Sequence, residues 1–372
     1  MSRFINFNNN NFSLLSEEIY NFMAGSLKTY LNHRSQSFGS DHTVKAEKEK
    51  SRIQLAKLLK ANDQMLFFAG GSARSDAGVI STAVYYLNVQ VVITLASENE
   101  QKLNFLEELD HAGLIKLIIL DQDENENFNL ESLSSLLNYS DLKKLVSISH
   151  ADRISGELVP VKEIALACKK SSSFFHLNTS LTVGKYSIDF SSLSPDFLTF
   201  GSHLLHGPEG IEVIILNPGI DTDKEHFNSI YKQLISTECD NQALISGIEK
   251  ALGLAIDDMT YYHQRIHKIK EYFTKQLKEI LYIEPVNLKN EKSGLINLVP
   301  IPIRTSRFGQ HLKEKLDLKG FAVDSMYKRS KTPGDESLIL PIALNEGISE
   351  SEIDSFIKLL QQFETENDQK SA

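Results

Sequence analysis

Several stretches of the sequence carry residue types and spacings that could do chemistry. Ala69-Gly70-Gly71-Ser72-Ala73-Arg74-Ser75 follows an apolar run and enters a helix pattern. Free backbone N–H groups at such a helix start can hold a phosphate, and the same glycines also serve an ordinary strand-to-helix turn. Gly201-Ser202-His203-Leu204-Leu205-His206-Gly207-Pro208-Glu209-Gly210 follows a second apolar run. Loops at strand ends are where α/β proteins place ligands. His203 and His206 could share a metal, but no carboxylate or cysteine partner is evident for them. His263 and His267 have the i, i+4 spacing of a zinc pair, yet Gln264 stands where a zinc hydrolase carries its glutamate base. A solvated helix face fits that pair better, and no metal is expected. His150 and His176 end apolar runs, where a histidine can stack on a planar ligand or simply cap the sheet. No G-x-S-x-G elbow occurs. Cys168 reads as a buried, inert thiol in a helical stretch, and Cys239 is no better supported as a nucleophile.

The elements that must position these residues alternate. Short runs dense in Val, Ile, Leu and Phe lie at 65–68, 89–95, 115–120, 145–149, 174–177, 197–200 and 211–216. Such runs read as buried strands. Helix signals separate several of them. Ser97 with Glu100 makes a capping box, Leu103, Leu106 and Leu109 recur on one face, and Gly113 ends the helix. The alternation predicts an α/β fold with helices on both faces of a mostly parallel sheet. The rhythm changes after Leu216. Helices are expected over 241–254 and 266–281, apolar runs at 295–300 and 338–344, and a helix over 308–316 between them. A second capping box, Ser349 with Glu352, opens a last amphipathic helix. The expected organisation is a large α/β domain over 15–258 and a small C-terminal α+β domain over 259–372, joined by 1–14.

Composition narrows the function classes. The 372 residues are 41% hydrophobic and 24% charged, as in an ordinary globular protein with a large core. The formal charge of −10, without a basic block, argues against nucleic acid or an anionic membrane as partner. Two cysteines are too few for a disulfide framework or a cysteine-rich zinc site. Residues 1–12 are Asn-rich without the apolar core of a signal peptide, and no apolar run approaches about 20 residues. A cytoplasmic protein is expected.

The order of the landmarks is more specific than any one of them. His33-Arg34-Ser35-Gln36-Ser37-Phe38-Gly39 resembles an N-P-S-S-x-H-x-x-G region, and 70–76 an S-G-A-T-E-x-N turn. The stretch 147–156 is similar to S-I-M-H-V-N-N-E-x-G, 176–185 to H-V-D-A-x-Q-x-x-G-K, and 203–210 to H-K-x-Y-G-P-K-G. Together they resemble the cysteine desulfurases of the class V aminotransferase group, enzymes dependent on pyridoxal phosphate (PLP). The resemblance implies the PLP-dependent transferase (aspartate aminotransferase-like) fold and a homodimer.

The positions that carry the family's chemistry differ. The Schiff-base lysine falls on Leu204, which has no amine to form an aldimine. The aspartate for the pyridine nitrogen falls on Asn178, the nearby glutamine on Leu181, and the stacking histidine on Asn99. The threonine of the phosphate turn falls on Ala73, the serine before the lysine loop on Gly201, and the asparagine of N-N-E on Arg153. The substrate-gripping arginine falls on Pro341, and no cysteine stands near 325–331. Gly71, His176, Gly184, Lys185, His203, Gly207, Pro208 and Gly210 match, and most of them are turn formers. The resemblance therefore implies a non-catalytic relative with a vestigial pocket formed by Gly71, Ser72, Ala73, Asn99, Arg153, His176, Asn178, Leu181 and His203. No cofactor is expected, and non-covalent PLP only if that reading fails. One alternative is a divergent PLP-dependent transferase or desulfurase. Another is an enzyme binding a small anion in that pocket with Arg74, Arg153 and His203.

Overall fold

The structure, a computed structural model, describes residues 4–30, 40–70, 74–120, 128–278, 280, 294–303, 306–328 and 337–371. The described strands are β1 (Ile5–Asn6), β2 (Leu66–Gly70), β3 (Val91–Leu95), β4 (Lys116–Leu120), β5 (Lys144–Ser149), β6 (Phe174–Asn178), β7 (Phe197–Gly201), β8 (Ile211–Leu216), β9 (Leu298–Ile303), β10 (Phe321–Ala322), β11 (Met326–Lys328) and β12 (Ser337–Ala343). The helices are α1 (Glu17–Tyr30), α2 (Ser40–Leu59), α3 (Arg74–Leu87), α4 (Glu100–His111), α5 (Leu130–Asn138), α6 (Val161–Lys170), α7 (Phe190–Leu193), α8 (Lys224–Ser236), α9 (Gln242–Asp257), α10 (Met259–Leu277), α11 (Ser306–Leu318) and α12 (Glu350–Ser371). They fall into two compact units. The larger holds Ser13–His150 and Val159–Asp257, and the smaller Met1–Phe12, Ala151–Leu158 and Asp258–Ala372.

The larger unit is built on a seven-stranded sheet in the order β2-β8-β7-β6-β5-β3-β4. β8 runs antiparallel to both neighbours, and every other pairing is parallel. The seven apolar runs of the sequence are these strands. Apart from the edge strand β4, where Ile119 is 41% exposed, they lack alternating polarity because both faces are covered. Phe68, Ile93, Val146, Phe175, Leu198 and Val213 enter one core. Their neighbours Phe67, Val92, Leu145, Phe174, Phe197 and Ile214 enter the other, with α3 and α8. The smaller unit packs an antiparallel sheet, β11-β12-β9, and the parallel pair β1-β10 around one core. Among the described residues no helix is long and apolar enough to cross a membrane.

Local sequence signals set several ends. Ser349 and Glu352 form their capping box, with Ser349 N donating to Glu352 Oε2 at 2.9 Å and Glu352 N to Ser349 Oγ at 3.3 Å. The Ser97–Glu100 box does not form. Asn99 caps α4 instead, accepting the Gln101 N–H at 2.8 Å, because α4 begins one residue after it. Gly113, at φ +70°, ends that helix region as expected. The helix expected over 266–281 begins earlier, at Met259. Residues 151–158, read from sequence as part of the larger domain, belong to the smaller unit, where Gly156 O accepts the Leu295 N–H at 2.7 Å.

In the smaller unit Phe356 is fully buried among Phe7, Phe273 and Phe321, with ring centroids 4.7, 6.0 and 5.4 Å away. The cluster ties residue 7 to three elements far along the chain. Phe356→Ala is expected to lower the unfolding free energy of this unit by about 3–5 kcal/mol, measured by chemical denaturation. A loss below about 1 kcal/mol would contradict this packing.

Candidate functional site

Residues two apart on a strand share a face. On the sheet face covered by α3, each of β5, β6, β7 and β8 is apolar over part of its length and turns polar at one end. Leu145 of β5 is followed on that face by Ser147 and Ser149, Phe174 of β6 by His176 and Asn178, and Phe197 of β7 by Thr199. β8 runs the other way, so its polar member is near its start: Glu212, two residues before Ile214. The register sets Ser147 opposite His176, Asn178 opposite both Ser149 and Thr199, and Glu212 opposite Gly201. The result is a polar floor at the carboxyl ends of the parallel strands, under the start of α3. That is the end where α/β sheets hold ligands.

Asp76, in the first turn of α3, is the hub of this floor and is 4% exposed. Both its oxygens accept from Asn178 Nδ2 at 2.9 Å, and Oδ1 also accepts from Thr199 Oγ1 at 2.7 Å. Thr199 has one hydroxyl hydrogen, which goes to Asp76. The 2.9 Å contact from His176 Nε2 is therefore an N–H donating to Thr199 Oγ1. His176 Nδ1 then accepts from Ser147 Oγ at 2.8 Å. Burial alone would raise the Asp76 carboxyl. The Lys102 charge and the Asn178 and Thr199 hydrogen bonds outweigh it and hold the group below the usual carboxylate range. Burial likewise keeps His176 neutral, with its pKa pushed down to about 4.

A second buried group closes the crevice between β3 and β5, where the strand order reverses. Glu98 accepts the Ser149 N–H at 2.5 Å and the Ser149 hydroxyl at 2.8 Å, and pairs with Lys102 at 3.0 Å. Both side chains of that pair are 1–2% exposed. Lys102 also donates to Ser147 O at 3.1 Å, beside Thr94 Oγ1 at 2.7 Å. His150 bonds Thr182 Oγ1 at 2.9 Å.

The residues expected in the pocket separate. His176 and Asn178 meet in the floor. Leu181 and Leu204 are buried and apolar. His203 is half-buried; its carbonyl accepts from Ser13 N at 3.0 Å and Ser13 Oγ at 2.7 Å, which holds the chain before α1 against this loop. Asn99 is exposed and committed to the cap of α4. Arg153 belongs to the smaller unit and donates to Asn11 Oδ1. Gly71, Ser72, Ala73, the stretch 33–39 and the Arg74 side chain lie outside the described residues. Gly184, at φ +74°, has 2.6 Å between a notional Cβ and Leu205 Cδ2, so its match is a turn requirement. Cys168 is buried, and burial pushes its thiol pKa up, in keeping with an inert group. Asp76, Glu98, Lys102, Thr199 and Glu212 were not singled out from sequence. The available signal was a polar residue inside an apolar run, as at Thr199 and Glu212.

The site fixes a pH dependence. His150 and His176 titrate near 4 in the fold against an ordinary 6.5, both because of burial. Their contribution is present above 6.5 and lost as pH falls toward 4. Asp196, raised by burial to about 6 from 3.8, works in the opposite direction over much of the same window. From these three groups, two protons taken up on unfolding against one released leave about one, so together they lower stability by up to about 1.4 kcal/mol per pH unit as pH falls between about 6 and 4. The depressed Asp76 and Glu238 carboxylates act in the same direction. His176→Gln, which can still bond Ser147 and Thr199, is expected to flatten that slope in urea unfolding at a series of pH values. An unchanged slope would contradict a buried neutral His176.

Comparison with known proteins agrees with this architecture. The family model "Aminotransferase class-V" matches residues 17–324. A cysteine desulfurase IscS of Dictyoglomus turgidum is 25% identical over 343 residues, 90% of this chain and 85% of the relative. An IscS of Clostridium botulinum (strain Hall) is 24% identical over 288 residues, 76% and 70% of the two chains. Among solved structures, a NifS-like protein superposes with a TM-score of 0.80 at 21% identity, over 97% of this chain and 99% of that one. A NifS-like protein from Rickettsia africae gives 0.79 at 22%, over 98% and 100%. With its mostly parallel sheet, its polar floor at the strand ends and a family match spanning most of its length, the chain belongs to the class V aminotransferase family and is cysteine desulfurase-like.

Proposed function

We propose that the chain is a non-catalytic member of this family, a homodimer kept for binding or scaffolding. The observation that carries the reading is Leu204, which stands where the resemblance expects the Schiff-base lysine and is 4% exposed. PLP held as the resemblance implies does not fit the donor set of the described residues. Leu204 has no amine. Asn178 carries no charge, gives its N–H groups to Asp76, and accepts the Ser180 N–H at 2.9 Å. Lys102 is committed to Glu98 and Ser147 O. Leu181 supplies no polar group. Exposed Leu14, Leu15, Tyr20, Phe22 and Leu27, at 42–58% exposure, support a second copy as a binding partner. The two free cysteines are compatible with a cytoplasmic location.

Borohydride reduction of the protein incubated with PLP, followed by mass spectrometry, is expected to show no PLP–lysine adduct. An adduct on any lysine would sink the reading and favour a divergent PLP enzyme. Leu204→Lys alone is expected to release no sulfide from cysteine above the wild-type level, because Asn178 and Leu181 remain. Sulfide release well above that level would count against it. Sedimentation is expected to show a dimer at micromolar concentration, and a monomer alone would remove that part.

A further inference from the structure

Glu212 is a glutamate in a strand that otherwise reads Ile-Val-Ile-Ile-Leu, and it is 5% exposed. It lies opposite Ala69 of β2 and Gly201 of β7, the two smallest residue types. A Cβ on Gly201 would come within 3.5 Å of Glu212 Cγ and 2.7 Å of His203 Nδ1, so the glycine leaves the space these side chains use. The carboxylate reaches the start of α3, where Oε2 accepts the Ser75 N–H at 2.7 Å. Ser75 is the second residue of α3, so its N–H is one that a helix leaves without an internal partner. The positive end of the helix favours an anion there. In this protein the chain itself supplies one. Asp76, the next residue, brings a second buried carboxylate to the same turn.

We propose that Glu212 is an internal anion that takes the place of phosphate at the N-terminus of α3 and sets the site against phosphate-bearing ligands. The proposal goes beyond the reading of a non-catalytic pocket: it stands on Glu212 and Ser75 rather than on Leu204, and so supplies a separate reason for that reading. A phosphate brought to the Ser75 N–H must displace Glu212 Oε2 and then stand beside two carboxylates in a buried turn. Like charges at that distance disfavour its charged form. The Ser75 N–H is thereby closed to the small anionic ligand considered from sequence, whereas a neutral or cationic molecule meets no such charge barrier.

The test is calorimetric titration of the full-length wild type, Glu212→Ala and Glu212→Gln with inorganic phosphate at low ionic strength. Circular dichroism would establish that each is folded. Wild type is expected to bind no phosphate at millimolar concentration. Glu212→Ala is expected to bind it at least about tenfold more tightly. Glu212→Gln, which keeps an acceptor for Ser75 but drops the charge, should fall between them. If Glu212→Ala does not fold, the near-isosteric Gln variant decides alone: a gain over wild type supports the proposal, and equal affinity overturns it. Phosphate bound by wild type as tightly as by a folded variant also overturns it. Phosphate affinity and the lysine adduct are separate readouts. An adduct with phosphate still excluded overturns the non-catalytic reading alone, and phosphate binding without an adduct overturns the role of Glu212 alone.

Discussion

A carboxylate taken out of water must be surrounded by donors or neutralised, and Asp76 imposes that requirement on the whole floor of the larger unit. Its oxygens fix the Asn178 amide and orient the Thr199 hydroxyl. Through Thr199 they fix the tautomer of His176, and through His176 the hydroxyl of Ser147. One buried charge therefore determines the direction of a hydrogen-bond chain across three neighbouring strands. Such a network is rigid when fully satisfied, and removing a member leaves a buried group without its partner.

The other buried acids extend the same logic. Glu98 joins the ends of β3 and β5 through Ser149 and balances its charge against Lys102. Glu212 closes the start of α3 through Ser75. Positions at which a doubly wound sheet ordinarily meets a ligand are here met by the chain's own side chains. Among the described residues, each of these three buried carboxylates has a hydrogen-bond donor from the chain itself.

Much of this fold was legible because strands buried on both faces leave dense apolar runs; all seven strands of the large sheet were visible as such runs, although the edge strand β4 is partly exposed. The Ser349–Glu352 box was legible because its two members are local. The Ser97–Glu100 box failed because Asn99, equally able to cap, stands next to the first helical residue. Long-range features were harder. Asp76 meets Asn178 and Thr199 across 102 and 123 residues, and Ser75 meets Glu212 across 137. No periodicity encodes such pairs. Ala151–Leu158 joins the smaller unit through its contact with Leu295, which no local signal announces. Family resemblance marked Asn178 and Leu204 as departures, but only the geometry shows that Asn178 is held by Asp76.

The central claim is that the Asp76–Asn178 pair and Leu204 leave the floor complete without a ring bound above it. The most direct measurement is a crystal structure at high resolution of the protein grown with excess PLP. The account predicts Asn178 Nδ2 still bonded to both Asp76 oxygens, with no ring density over Asn178. A pyridine ring seated there, with its nitrogen bonded to Asn178 or to a displaced Asp76, would contradict it.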